Sequence, residues 1–299
     1  MRLLSLTGLL AAILLSVCTA TAQTTTNTAA SDTAVADTRP LRPVLSAYTA
    51  EFGTAHLADT YLTPLRYSGW HSALHYQRMQ AMAFSPDRWV MQLDGRLDVD
   101  HADNPARNAT MWNAELKFSW TMMRRWQPLP ALPALTVGIG PGIGLRAGVF
   151  YLARNSNNPA SAKGAVTADA RGYAAYSLRL GRLPVTLRYE GALPVTGAFF
   201  TPDYGQLYYE IWLGERSHLV RPAWWGNYFA LDNRVTADLR FGGTTLRVGY
   251  SNSILSTKAR SIVSRRITHA LTIGIATKWL SLSSRQATIP DARIISALY

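Results

Sequence analysis

Residues 111–122 read MWNAELKFSWTM, and their side chains alternate in polarity. One parity holds Trp112, Ala114, Leu116, Phe118, Trp120 and Met122, and the other holds Asn113, Glu115, Lys117, Ser119 and Thr121. Successive side chains of a β-strand point to opposite faces of its sheet. The segment is therefore predicted to be a strand with one apolar, aromatic face and one polar, charged face.

The same alternation recurs over residues 46–280 and divides this region into ten predicted strands. They are 46–56, 66–81, 86–100, 109–125, 133–151, 164–181, 183–195, 228–241, 244–257 and 264–280. A transmembrane barrel needs apolar side chains toward lipid and polar ones toward its lumen. The sequence thus predicts an all-β fold, a closed antiparallel transmembrane β-barrel of about ten strands. Twelve strands is the alternative, if Leu207–Trp212 and a partner also pair.

Short and long connections alternate between these predicted strands. The short ones are 85–87, 126–133, 181–183 and 242–243, and the long ones are 57–65, 101–108, 152–163, 196–227 and 258–263. The Gly242–Gly243 pair suits a two-residue hairpin, because both residues tolerate positive φ. Outer-membrane barrels have short periplasmic turns and longer outer loops. We therefore expect both ends of the barrel on the periplasmic side.

The residues before the barrel are predicted to be an export signal and a leader. Residues 1–22 combine Arg2, the apolar run Leu3–Val17 and small residues before a cleavage site after Ala22. Residues 23–45 are rich in Thr and Ala without periodicity, which predicts a disordered periplasmic leader. Residues 281–299 are predicted to be a C-terminal tail. The predicted location is the outer membrane of a Gram-negative bacterium.

The single cysteine, Cys18, lies within the predicted signal. The alternative to a cleaved export signal is a lipid anchor on Cys18, although Val17 is large for the residue before a lipoprotein cleavage site. Cleavage after Ala22 would remove the thiol and exclude a disulfide framework and thiolate metal sites. No Gly-rich phosphate loop opens a helix either. We predict no cofactor and no metal.

The formal net charge is +12. Such charge is typical of nucleic-acid binding, but an exported chain meets anionic headgroups and polysaccharide instead, so nucleic acid is not an expected partner. The expected partners are outer-membrane lipid and lipopolysaccharide, the barrel-insertion machinery, and a surface polysaccharide or protein. The last strand, with Leu271, Ile273, Ile275 and Trp279 on one parity, resembles the closing-strand signal that this machinery reads.

The polar parity of the strands predicts a charged lumen. Arg at the lipid face would cost about 2–4 kcal/mol at the midplane, so these charges must point inward. Opposite charges lie two residues apart in Glu115/Lys117, Asp169/Arg171 and Arg188/Glu190. Because unpaired charge in a narrow lumen is also costly, we expect an ion-pair lattice across the strands.

The fifth predicted strand differs, because its inward parity is rich in glycine. Gly138, Gly140, Gly142, Gly144 and Gly148 share that parity with Arg146. Glycine in a strand marks a bend or the close approach of another group. Either bulky partners fill this space, or an open groove remains.

The outward parity is unusually aromatic. Its aromatic residues include Trp70, Trp89, Trp112, Trp120, Tyr250 and Trp279, which could form girdles at the two membrane interfaces. A water-soluble sandwich, with these side chains as core, is the alternative. The long strands and the export signal favour the membrane.

Three loop motifs carry a family resemblance. They are Tyr61–Leu65 (YLTPL), Ala153–Ala160 (ARNSNNPA) and Thr201–Ile211 (TPDYGQLYYEI). With them, residues 46–280 resemble an uncharacterised Bacteroidota outer-membrane β-barrel family, a numbered domain of unknown function. The resemblance implies the barrel and its compartment, and it supplies no catalytic residues.

The loops hold the candidate binding residues, which are Asn155, Asn157, Asn158, Tyr204, Gln206, Tyr208, Tyr209 and Glu210. The asparagines could bind a cation through oxygen, but Asn also simply builds turns. The tyrosines could stack on sugars or anchor a partner. Alternatively, their loop folds inward as a lid.

Weak catalytic candidates are Asp98, Asp100, His101 and His218. A family of ten-stranded outer-membrane proteases, the omptins, activates water with acidic residues and an Asp–His pair at its outer rim. This chain has an Asp-x-Asp string but no matching Asp-x-His string. The predicted function is a non-enzymatic barrel whose loops bind a partner or serve a surface assembly. A narrow pore and an omptin-like surface protease are the alternatives.

Overall fold

The structure is a computed structural model that describes residues 40–156, 158–280 and 293–298. The predicted export signal, most of the predicted leader and Asn157 lie outside the described residues. All statements below concern the described part of the chain.

Eleven strands and one short helix make up the fold. They are β1 (Val44–Asp59), β2 (Arg66–Ala81), β3 (Trp89–Asp103), β4 (Thr110–Trp126), β5 (Leu135–Leu152), β6 (Ala160–Leu180), β7 (Leu183–Phe200), α1 (Tyr208–Leu213), β8 (Val220–Ala223), β9 (Tyr228–Phe241), β10 (Thr244–Ala259) and β11 (Ile262–Trp279).

Ten of these strands form a closed antiparallel barrel. Each long strand pairs with the next along the chain, β7 pairs with β9, and β11 returns to pair with β1. The short β8 only extends the sheet beside the last residues of β7. The predicted ten-stranded barrel is confirmed. The twelve-strand alternative is wrong, because residues 208–213 form a helix instead of a strand.

The barrel has apolar side chains outside and charged side chains inside. On β4, Trp112, Phe118 and Trp120 are exposed, whereas Glu115 and Lys117 are buried in the lumen. The predicted outward aromatics Trp70, Tyr250 and Trp279 are likewise exposed. A wall of exposed aromatic and aliphatic side chains is stable against lipid and unstable against water. The fold is thus that of a membrane-spanning barrel, and the sandwich alternative does not apply.

Within the described residues, no helix is long and apolar enough to cross a bilayer.

The two ends of the barrel differ in their connections. At one end, here called the cap end, the connections are 60–65, 104–109, 153–159, 201–227 and 260–261. At the other, the turn end, they are 82–88, 127–134, 181–182 and 242–243, and residues 40–43 and 293–298 also lie there.

One predicted connection is wrong. The segment 258–263 is not a long loop, because β10 and β11 continue to Ala259 and Ile262 and only Arg260 and Ser261 turn. The strict alternation of short and long connections therefore fails, and the turn-end connections 82–88 and 127–134 are also longer than the cap-end connections 60–65 and 104–109. The polar residues around this turn belong to strand ends that extend past the apolar belt, so their polarity does not mark a loop.

Bulky neighbours fill the space beside the β5 glycines. A side chain at Gly138 would meet the ring of Tyr173, one at Gly142 would meet Thr121 and Arg171, and one at Gly144 would meet Asp169. The inward face of β5 is therefore filled by large side chains of neighbouring strands and does not form an open groove.

We expect Gly140→Val to prevent closure of the barrel. A Cβ at Gly140 would lie 2.0 Å from the Met122 carbonyl oxygen on β4, so the backbones would have to separate. Overpacking of this kind costs about 1–3 kcal/mol. The readout is the fraction of protein with compact mobility on gels before heating.

Gly95→Val is the matched control, because a Cβ there has nothing within 4 Å. Equal compact fractions in the two variants would contradict the close approach of β4 and β5.

Candidate functional site

The half of the lumen nearer the cap end is organised around Arg266 on β11. Its Nε lies 2.5 Å from Asp100 Oδ2, and its two Nη atoms lie 3.1 Å from Asp98 Oδ1 and 3.3 Å from Glu115 Oε2. Asp98 and Asp100 have no exposed surface. Three carboxylates on β3 and β4 therefore share one guanidinium across the lumen.

Further pairs extend this network around the barrel. Arg96 bonds Glu51 at 2.9 Å and Asp98 at 2.9 Å. Arg146 bonds Asp232 at 2.5 Å. The interior thus contains the cross-strand ion-pair lattice that the alternation of charges predicts.

The same-strand pairs also make contact. The shortest N–O distances are 3.4 Å for Lys117–Glu115, 2.8 Å for Arg171–Asp169 and 2.5 Å for Arg188–Glu190. Arg188 and Arg247 both donate to Gln77 Oε1, at 2.8 and 2.9 Å. Gln77 joins two guanidiniums without adding charge, which suits a crowded interior.

Little space remains among these groups. A cavity of about 90 Å³ lies in the middle of the lumen, with His75, Asp94, Lys117, Asp169, Glu190 and Asp232 among its lining. The lumen is filled mainly by its own side chains, as expected for a barrel only slightly wider than eight strands.

Residues 293–298 close the turn end. Leu41 donates its backbone NH to Arg293 O, and Ile295 donates to Leu41 O, both at 2.8 Å. Ala297 and Leu298 are buried in an apolar cluster with lumen-facing residues such as Met79 and Tyr173. The described part of the predicted tail therefore packs into the barrel.

Arg125 holds this segment in place. Its Nη1 donates to Ser296 O at 2.5 Å and to Ala297 O at 3.0 Å, and its Nη2 donates to Pro86 O at 2.9 Å. Beside the segment, a cavity of about 880 Å³ is lined by Arg88, Arg124 and other residues. The turn end thus combines a packed apolar plug with a basic vestibule.

We expect Arg266→Gln to destabilise the barrel by about 3–5 kcal/mol, because three buried carboxylates lose their shared cation. The measurement is the urea midpoint of unfolding in lipid vesicles, followed by tryptophan fluorescence. Arg293→Gln breaks an exposed pair with Asp87 and should change stability by less than about 1 kcal/mol. Similar midpoints for both variants would contradict a structural role for the lattice.

At the cap end, the three family motifs meet at the Tyr61 hydroxyl. This hydroxyl donates to Gln206 O at 2.6 Å and accepts a hydrogen bond from Asn158 Nδ2. The Tyr61 ring also contacts Tyr208 edge-on, with centroids 6.1 Å apart. Motifs that lie far apart in the sequence thus form one layer over the barrel, here called the cap.

Other bonds tie the cap to the strands below it. Tyr208 Oη accepts a hydrogen bond from the Ala162 backbone NH on β6 at 2.5 Å. Asp203 pairs with Arg221 at 2.5 Å and with Arg260 at 2.9 Å. Tyr208 and Asp203, both in the longest connection, thus bond to the strands. This part of the connection is folded onto the barrel, as the lid alternative expects.

Asn155 and Asn158 of the second motif make hydrogen bonds within this cap. Asn155 Nδ2 donates to Leu62 O at 3.3 Å and to Asn158 O at 3.1 Å. Cation binding by these residues stays a prediction. In the described residues, no group of three or more His, Cys, Asp or Glu side chains is arranged to hold a metal ion.

Burial raises the pKa of Tyr208 to about 12, and burial also raises the pKa of Tyr61. A tyrosine whose folded pKa exceeds its unfolded value of about 10 stabilises the fold fully below pH 10. This contribution is lost as the pH rises through 12. Ionisation would also place a negative charge within the cap.

We therefore expect the cap to loosen between about pH 10 and pH 12. Spectrophotometric titration should show one late-titrating tyrosine fewer in Tyr208→Phe than in the wild type, with near-ultraviolet circular dichroism reporting the order of the cap. Tyr204→Phe is the control, because Tyr204 is exposed. An unchanged number of late-titrating tyrosines in Tyr208→Phe would contradict this assignment.

Above the cap, α1 presents an exposed apolar face. Tyr209, Trp212 and Leu213 are 65, 74 and 61% exposed, and the helix has no buried residue. The Tyr209 and Trp212 rings stack with centroids 6.2 Å apart. Glu210 caps the helix by accepting from the Leu207 NH at 2.8 Å, and Gly214 ends it with a positive φ of 115°. Short-range bonds thus fix a helix whose Tyr209, Trp212 and Leu213 side chains are largely exposed.

The four weak catalytic candidates do not form one site. Asp98 and Asp100 are inside the lumen on Arg266, and His71 Nδ1 lies 2.6 Å from Asp100. His101 faces outward and stacks on Trp70. His218 lies in the 201–227 connection with a positive φ of 63°. The histidines and carboxylates singled out in the sequence are therefore on different surfaces.

Sequence reasoning missed two features of this arrangement. The central role of Arg266 was hidden because its partners are on β3 and β4, far away in the sequence. The insertion of residues 293–298 was also missed, although the apolar pairs Ile294–Ile295 and Ala297–Leu298 are unusual for an exposed tail. That pattern is the signal that could have found it.

Several solved structures have a similar fold. The translocator domain of the autotransporter NalP from Neisseria meningitidis is 10% identical, with 82% of this chain and 91% of that chain covered and a TM-score of 0.37. The outer membrane protease OmpT from Escherichia coli is 8% identical, with 83% and 99% covered and a TM-score of 0.40.

An outer membrane channel from Pseudomonas putida F1 is 9% identical, with 84% and 100% covered and a TM-score of 0.32. No curated protein matches the chain in sequence. A family profile described as "Protein of unknown function (DUF3316)" matches residues 6–286. This match spans most of the 299 residues and confirms the predicted resemblance to a numbered domain of unknown function: the chain belongs to the DUF3316 family.

Proposed function

We propose that this protein is a non-enzymatic outer-membrane barrel that binds a protein partner at the cell surface through its cap. The observation that carries the proposal is the exposed aromatic face of α1 above a cap that is firmly bonded to the barrel. In this proposal the cap end is extracellular, because it carries the longest connection, 201–227, whereas no turn-end connection is longer than 127–134.

The composition of the α1 face supports a protein partner. Trp and Tyr are enriched among the residues that contribute most to protein interfaces. Exposed apolar surface on a structured element is typical of an interaction site. Leu213 extends the aromatic pair with an aliphatic side chain, which suits an apolar contact better than a sugar ring. A surface polysaccharide is the other outcome of the test.

The rigidity of the cap also supports binding. Tyr208 is directed into the cap, whereas Tyr209 and Trp212 are exposed. The side chains that would contact a partner are therefore held on a fixed base, and less conformational entropy is lost on binding.

The test is photo-crosslinking in intact cells, with a photoreactive amino acid at position 212. We expect one specific adduct, which disappears when Tyr209 is also changed to Ala. Ala106 is the control position, because it is exposed at the same end of the barrel. A carbohydrate adduct would redirect the proposal to polysaccharide. Equal labelling from positions 106 and 212 would contradict it.

The filled lumen argues against the narrow-pore alternative. The lattice around Arg266 crosses the lumen, and the β5 glycines are covered by large side chains. We expect no discrete openings in planar bilayers. A variant that ends before Arg293 should also be silent, because the lattice remains when the plug is removed. Openings in the wild type that decrease in Gly142→Leu would contradict this view.

The protease alternative has little support from the geometry. Asp98 and Asp100 are buried against guanidiniums, which leaves them no position for activating water on a peptide. Peptide cleavage that is lost in Asp98→Asn without loss of folding would restore that alternative.

A further inference from the structure

We propose that the outer wall of the barrel around Ala58 binds the phosphate group of a lipid in the leaflet at the cap end. Ala58 on β1 pairs with Arg66 on β2 and with Arg265 on β11. Both arginines have the outward parity and are exposed. Two cations therefore flank one small side chain on the lipid-facing surface.

These cations have no partner within the described chain, since neither guanidinium makes an ion pair or a side-chain hydrogen bond there. The nearby carboxylates are engaged elsewhere. Asp59 is buried in the lumen with Lys163 Nζ at 2.7 Å, and outward-facing Asp103 accepts from Thr110 Oγ1 at 2.6 Å. This part of the wall is thus basic and unneutralised by the protein.

The spacing suits a phosphate. Adjacent strands lie about 4.8 Å apart, so the Cα atoms of Arg66 and Arg265 are about 10 Å apart across β1. Two arginine side chains can converge over that distance on the oxygens of one phosphate, to which each can donate two hydrogen bonds. Ala58 leaves the space between them open.

One step along the strands toward the membrane centre, polar groups continue the site. His56 Nδ1 and Ser68 Oγ lie 2.9 Å apart on the same outward surface. Beyond them the wall becomes apolar, with Phe52, Leu74 and Leu271 exposed by 63, 64 and 71%. This order of cations, polar groups and apolar side chains matches the headgroup, linkage and acyl chains of a phosphorylated lipid.

The apolar column distinguishes a lipid from free phosphate. A soluble anion would need only the two guanidiniums, whereas a lipid contacts the whole surface from Arg66 to Leu74. The inference requires only that the cap end meets a membrane leaflet. It is independent of the partner proposed for α1.

The experiment uses the full mature chain in phosphatidylcholine nanodiscs that contain diphosphoryl lipid A. Native mass spectrometry counts bound lipid A for the wild type and for the double variant Arg66→Ala/Arg265→Ala. We expect about tenfold weaker binding in the double variant, because the charge-assisted contacts to phosphate are lost. Lipid A without phosphates should bind the wild type as weakly as diphosphoryl lipid A binds the double variant.

Arg78→Ala/Arg124→Ala is the matched control, because both residues have the outward parity near the turn end. It should bind lipid A like the wild type. Compact mobility on unheated gels confirms that each variant is folded. The proposal would be overturned by unchanged lipid A binding in Arg66→Ala/Arg265→Ala, or by a loss of lipid A binding that occurs only in the turn-end control. Complete displacement of lipid A by inorganic phosphate would also overturn it.

Discussion

The buried ion-pair lattice is the constraint on which the rest of this structure depends. Charged side chains at the level of the apolar belt cannot face hydrocarbon, so they enter one narrow lumen. There they remain charged only because each carboxylate meets a guanidinium or an ammonium, as Asp98 and Asp100 meet Arg266. Removing one member of such an ion pair costs more stability than the pair itself contributes, because the other charge stays buried. The lattice therefore fixes the register of several strands at once.

The same lattice shapes what the barrel can do. A lumen that is crossed by salt bridges and sealed by Leu298 at one end leaves no wide path for a solute. The surfaces outside this lattice are the cap, the lipid-facing wall and the basic vestibule. Carboxylates that maintain a lattice are also poorly placed to activate water. The two binding sites proposed above accordingly lie at the cap and on the wall, outside the lattice.

Much of the barrel was predictable from sequence because its governing signal is local. The alternation in Met111–Met122 needs no knowledge of neighbouring strands, and its two charged residues, Glu115 and Lys117, are buried. The turn at Arg260–Ser261 was not predictable in this way, because strand ends outside the apolar belt lose the alternation. The ion-pair partners of Arg266 and the hydrogen bonds of Tyr61 depend on which strands and loops become neighbours. That information exists only after the barrel closes.

The cap shows how such long-range contacts turn unrelated strings into a site. The Tyr61 hydroxyl needs both a donor and an acceptor once it is covered. Asn158 and the Gln206 carbonyl supply them from two other connections. The Tyr61 hydroxyl is thus satisfied inside the cap. Tyr208 lies on the side of α1 that faces the barrel, while Tyr209 and Trp212 remain outside. The hydrogen bond of Tyr208 to β6 therefore holds one side of α1 against the barrel and leaves the Tyr209 and Trp212 side outside.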